Sequence, residues 1–322
     1  MASQPHPLRI GDTLNEAFQF GLKRWGTVLR LGWLPVAVSL ILIGLYFAAI
    51  LDIQLLMKAE EAGTVPAVDE IFRMPVAAMI GLGLVLYIAI ALLYSGVIAS
   101  VYRLAALGEE MPGFFHLRMD GPAWRVFWAS MISGLISLAI LVVGILISVA
   151  AFGEGFSSFM DGMRSFWGMV FEAAESGTEP TADSFDENTM QALAAMMRVF
   201  AIVTIPMIYF GIRLSPFVAG SAAENRLILF GAFNLTKGRF WSILGAYIVM
   251  GIALMIVSMG YEITMAILEV LMELGASGGV FALIMALVGV IYFVLTVIYY
   301  AFLYGVQLSF QAIVYRRLKT GA

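Results

Sequence analysis

Six long apolar stretches constrain this chain more than any other feature. They run roughly Arg30–Leu51, Pro75–Tyr102, Trp124–Phe152, Val199–Ala222, Phe240–Gly260 and Val280–Tyr315. Crossing a hydrocarbon core takes about 20 mostly apolar residues. Backbone amides in lipid must be satisfied within the segment, which selects helices over open strands. The expected fold is therefore all-α: a polytopic membrane protein with six transmembrane helices, forming a single membrane domain over residues 1–322. The chain is 61% hydrophobic and 12% charged, where a soluble domain carries about 25% charged residues. That leaves too little polar surface to cover a water-soluble globule. With a net charge of −4 and no basic domain, nucleic acid is not an expected partner.

Lysine and arginine placement predicts the orientation. Fourteen of the 18 basic residues fall on one side: Arg9, Lys23, Arg24, Arg30, Arg103, Arg118, Arg125, Arg213, Arg226, Lys237, Arg239, Arg316, Arg317 and Lys319. The other side has Lys58, Arg73, Arg164 and Arg198. Both termini are thus expected in the cytoplasm. The polar, amphipathic start lacks the early apolar core of a cleaved signal peptide, so the first span is expected to act as an uncleaved anchor. Residues 153–198 form an external segment, read as two short helices (near Phe156–Ala174 and Asn188–Arg198) flanking an acidic loop. A second external stretch, Tyr261–Leu274, is expected to lean on the outer membrane surface, with Glu262, Glu269 and Glu273 on one face.

The ends of the chain resemble each other. Ala17-Phe18, Arg24-Trp25 and Val28-Leu29 recur 215 positions later as Ala232-Phe233, Arg239-Phe240 and Ile243-Leu244. Val101-Tyr102-Arg103 recurs 213 positions later as Val314-Tyr315-Arg316, and Gly121-Pro-Ala-Trp124 parallels Gly238-Arg-Phe-Trp241. The pattern, weakest for the middle pair, is read as three units, each an amphipathic cytoplasmic helix followed by a helical hairpin, with chance resemblance among apolar helices as the alternative. Capping boxes at Thr13–Glu16 and Ser221–Glu224 are expected to start amphipathic helices. Trp25, Lys23, Arg24, Lys237, Arg239 and Trp241 are the expected interfacial anchors. Such helices suit lipid sensing or partner docking; a plain structural elbow is the simpler reading, and the preferred one.

Candidate sites are few. Arg213 stands in an apolar setting before Pro216, where a helix break is a reasonable expectation. An arginine at depth would bind a lipid phosphate or a carboxylate, or would serve structure by pairing with carbonyls. The repeat aligns it with Arg103 and Arg316, which favours the structural role. Tyr300, Tyr304, Gln307, Gln311 and Tyr315 share one face of the sixth span, echoed by Tyr87, Tyr94 and Tyr102 on the second. They would contact a lipid or solute, or more simply hydrogen-bond neighbouring helices. Gly81 and Gly83 would permit close helix approach. Asp183, Asp186 and Glu187 fall far short of a calcium loop. His116 with Asp120 is the one acid–base pairing on offer, and His6 completes the histidines. Without cysteine, HExxH, Walker A or GxSxG, no catalytic residue, cofactor or metal site is predicted.

Around Arg213-Leu-Ser, Ala223-Glu224 and Phe233-Asn-Leu-Thr-Lys-Gly-Arg-Phe-Trp241 the chain resembles a loose group of bacterial six-helix membrane proteins. The group includes the YciC-type family and the membrane domain joined to some glycerophosphodiester phosphodiesterases. The resemblance is best over residues 205–250. It implies a bacterial inner-membrane location and carries over no phosphodiesterase activity. The expected role is a non-enzymatic accessory or scaffold that organises envelope lipids or a partner membrane protein. A transporter or channel for a small or amphiphilic solute is the alternative.

Overall fold

The computed structural model describes residues 9–51, 75–110, 119–152, 160–162, 164–165, 167–168, 171, 187–274 and 280–321. The protein is all-α and polytopic, with six helices long and apolar enough to cross a membrane. In chain order the helices are α1 (Ile10–Ile50), α2 (Val76–Leu107), α3 (Gly121–Phe152), α4 (Glu187–Glu224), the short α5 (Leu229–Leu235), α6 (Phe240–Leu274) and α7 (Val280–Thr320). Residues 9–129 and 215–321 belong to one compact unit, and 130–214 to a second.

Length carries the first correction. α1 and α7 each hold 41 residues, roughly 60 Å at 1.5 Å per residue, about twice a hydrocarbon core. The amphipathic segment before Arg30 is therefore not a separate interfacial helix; it continues rigidly into the span. The stretches at 188–198 and 261–274 are likewise continuous with α4 and α6 rather than separate surface helices. No break occurs at Pro216, which is buried inside unbroken α4.

In the first unit each long helix divides into two halves. One half is apolar and open: Leu40, Ile41 and Leu45 on α1, Ile80 and Val85 on α2, Val290 and Phe293 on α7. The other half is packed: Ala17, Val28 and Leu31 of α1, Val101 and Tyr102 of α2, and Val306, Phe310 and Val314 of α7 are all buried. The tightest crossing joins α1 to α7. Gly21 faces Val306 and Phe302, while Gly305 comes against Val28 and the Gly21 backbone. Ser309 donates to the Ala17 carbonyl at 3.4 Å beside this crossing, and Phe18 meets Phe302. Gly81 has open space, and Gly83 faces the Tyr46 ring, so the expected close approach lies at different glycines.

Farther along, α6 and α7 are tied by a reciprocal tyrosine pair. Tyr261 and Tyr299 stack 3.8 Å apart and nearly parallel. The Tyr261 hydroxyl reaches Thr296 on α7, and Tyr299 donates to Ser258 on α6, both at 2.8 Å. In the second unit, Gly144 of α3 sits against Val203 of α4, where a larger side chain would push the helices apart.

Candidate functional site

The chemistry-bearing side chains gather at the packed end of the first unit, around three helix C-termini. A helix leaves its last four carbonyls without intrahelical partners. α2 and α7 stop at glycines in the left-handed conformation, Gly108 and Gly321, each with φ of 72°; α4 stops at Asn225, with φ of 50°. Such a residue just past a helix turns the chain away.

Three arginines then reach across to last-turn carbonyls. Arg103 of α2 donates to the Ala222 carbonyl of α4 at 3.1 Å. Arg316 of α7 donates to the Ala105 carbonyl of α2 at 3.3 Å. Arg239, before α6, donates to the Leu318 carbonyl of α7 at 3.3 Å. Ala105, Ala222 and Leu318 all lie three residues before the left-handed residue of their own helix. Positive charge here complements the negative helix ends. Arg103 and Arg316 each precede their left-handed glycine by five residues, whereas the position five before Asn225 is Gly220 and Arg213 lies farther back in α4. Gly220 is small for a reason, since a side chain there would overlap Ile228 and the Tyr315 ring.

Carboxylates complete the network. Glu109 grips Arg103 through two bonds of 2.7 Å, a bidentate geometry that is among the stronger charged contacts. Glu16 of α1 bridges Arg316 and Arg317, the latter at 3.2 Å. Glu224 closes α4, accepting from Tyr315 at 2.6 Å, Lys319 at 3.0 Å and Arg226 at 2.7 Å. Arg24 of α1 bonds Glu110 just beyond α2 at 2.9 Å.

Neither predicted capping box forms. α1 begins at Ile10, so Thr13 lies inside it, fully buried, with its hydroxyl on the Arg9 carbonyl at 2.8 Å. Glu16 is committed to α7 instead. Ser221 is an interior residue of α4 whose hydroxyl accepts from the Ile228 amide at 3.3 Å. Past the end of α5, Gly238 (φ 74°) turns the chain into α6. Asp120 caps α3, accepting from the Ala123 amide at 3.4 Å; His116 and His6 lie outside the described residues, as do Asp183 and Asp186.

The predicted α7 face splits. Gln311 accepts from the buried Tyr102 hydroxyl, and Tyr315 is buried against Glu224. Tyr300, Tyr304 and Gln307 stay exposed. Sequence reasoning missed Tyr247, whose hydroxyl is hydrogen-bonded to Ser215 and whose ring lies edge-on to Phe310. The alternation of aromatic and small residues on α6 held no signal for it. Arg213, in the second unit, lies 5.7 Å over the Tyr209 ring, its Nε donating to that hydroxyl at 3.4 Å. Of the predicted anchors, Lys23, Arg24, Trp25, Lys237 and Trp241 are exposed, while Arg239 is half-buried in the clamp.

No protein-family model, curated protein or solved structure matches the chain. The arrangement itself therefore carries the functional reading. Chemically it is a bonded junction: helix ends, arginines and carboxylates satisfy one another, and the apolar halves face outward. Among the described residues, no group of three or more histidine, aspartate and glutamate side chains is placed to hold a metal ion.

Proposed function

We propose that the chain is a non-enzymatic accessory or scaffold protein of the bacterial inner membrane, organising envelope lipids or a partner membrane protein, with both termini cytoplasmic. The observation that carries this reading is the interlocked end of the first unit. Glu16, Glu109, Glu110 and Glu224 each hold a basic side chain in the fold. Groups committed in this way favour a rigid platform over a site that exchanges protons or substrate. The bias of basic residues toward one side supports the orientation. The resemblance over residues 205–250 supports the bacterial inner membrane, and the recurrent helix-end register supports three related units.

A transporter or channel is the second reading, favoured by Tyr300, Tyr304 and Gln307 left exposed on α7. Native mass spectrometry of the protein released gently with its surrounding lipid separates the two. A stoichiometric protein partner is the result expected of a scaffold. A lone chain that retains one small solute, lost in Gln307→Ala, would replace that reading with transport.

A further inference from the structure

Among the described residues, the interlocked end commits its carboxylates and leaves some cations without an ion pair. Lys23, Arg125 and Lys237 are exposed there, whereas Arg24, Arg103, Arg226, Arg316 and Arg317 are held by glutamates. Each exposed cation lies within four residues of an exposed tryptophan: Trp25, Trp124 and Trp241. All three stretches adjoin the clamp. Arg24, beside Trp25, bonds Glu110 past α2. Gly121, just ahead of Trp124, lies against Asn225 at the end of α4. Arg239, before Trp241, bonds the end of α7. Trp241 is 78% exposed, and Phe230 on the neighbouring short helix is 81% exposed. α5 is held from below by buried Ile228, Ala232 and Thr236, so its apolar Phe230 faces away from the protein.

An exposed indole pairs an apolar body with a polar N–H and settles at the headgroup level of a bilayer. An ammonium or guanidinium at the same level meets lipid phosphates. We propose that this rim of tryptophans and exposed cations selects anionic phospholipid from the bilayer around the interlocked end. Zwitterionic lipid carries its own cation and gains little from Lys23, Arg125 and Lys237; a singly anionic headgroup gains from each. The inference rests on the membrane-spanning fold and is independent of the scaffold role, because a rim of this kind would select lipid whether or not a protein partner exists.

The test is tryptophan quenching in the full chain reconstituted into bilayers. Vesicles of phosphatidylcholine are doped with brominated phosphatidylglycerol or brominated phosphatidylcholine, and relative lipid affinity is read from the quenching of the six tryptophans. The expected result is a preference of about fivefold for phosphatidylglycerol, the value of one well-placed basic residue at a membrane surface. It should collapse toward unity in the Lys23→Gln, Arg125→Gln, Lys237→Gln triple variant and in high salt. The Lys23→Arg, Arg125→Lys, Lys237→Arg variant should keep it, showing that charge and not misfolding is at issue. Equal quenching by the two lipids in the wild-type chain would overturn the proposal. So would a preference that survives in the glutamine triple variant.

Discussion

The α1–α7 crossing offers the sharpest test of the packing described. A methyl group placed on Gly21 would stand 2.3 Å from Val306 Cγ2 and 3.1 Å from two ring carbons of Phe302. Carbon atoms in contact sit about 3.5–4.0 Å apart, so Val306 must retreat by more than 1 Å. Val306 is fully buried, so its retreat displaces packed neighbours. Overpacking of this kind costs about 1–3 kcal/mol, against a gain of about 1 kcal/mol from replacing glycine in a helix interior. Gly21→Ala should therefore destabilise by about 1 kcal/mol. Val306→Ala removes the obstructing methyl and should cost about 2 kcal/mol alone through the cavity it leaves. Combined, the new methyl fills the vacated space. The double variant should be more stable than the sum of the singles by about 1–2 kcal/mol, within the range seen for touching residues. Unfolding in mixed micelles by added SDS, followed by far-ultraviolet circular dichroism, measures all three. Additive effects, or a Gly21→Ala protein stabilised by the full helix-propensity gain, would refute the crossing.

Tyr315→Phe removes a buried hydroxyl that donates to Glu224; a bond to a charged group is worth about 1.5–3 kcal/mol, and the same SDS titration should show a loss in that range, larger than for Lys319→Gln, whose exposed ammonium makes a screened contact worth about 0–1 kcal/mol. Tyr299→Phe breaks one arm of the reciprocal α6–α7 pair and should cost about 0.6 kcal/mol, the mean for such bonds between membrane helices; a loss equal to that of Tyr299→Ala would mean that stacking contributes nothing. In this cysteine-free chain, Thr320→Cys should stay unlabelled by an impermeant thiol reagent added outside cells while Asp183→Cys reacts, and the reverse pattern would invert the proposed orientation.

The six spans were legible because lipid solvation is a local property of sequence. About twenty consecutive apolar residues, read from Pro75–Tyr102 or Phe240–Gly260, leave a chain no other stable course. The polar residues that matter at the interlocked end were visible as types, and Arg103, Glu224, Tyr315 and Arg316 stood out by pattern. Their partners did not. A capping box at Thr13–Glu16 is a local inference, and it failed because Glu16 finds Arg316 and Arg317 some 300 positions away. Matching side chains align Arg213 with Arg103 and Arg316. The three helix ends share a backbone feature instead, a left-handed residue at Gly108, Asn225 and Gly321, a conformation that glycine adopts freely and asparagine more often than most other residues.

What the sequence determined alone is therefore the class of solvent, the number of crossings and the asymmetry of charge. These depend on residues acting one by one or with neighbours a helical turn away. Tertiary structure decided which halves of the long helices pack, that Gly21 and Gly305 rather than Gly81 and Gly83 permit close approach, and which arginine clamps which helix end. Those outcomes depend on where two helices cross, and periodicity along one helix holds no record of the other.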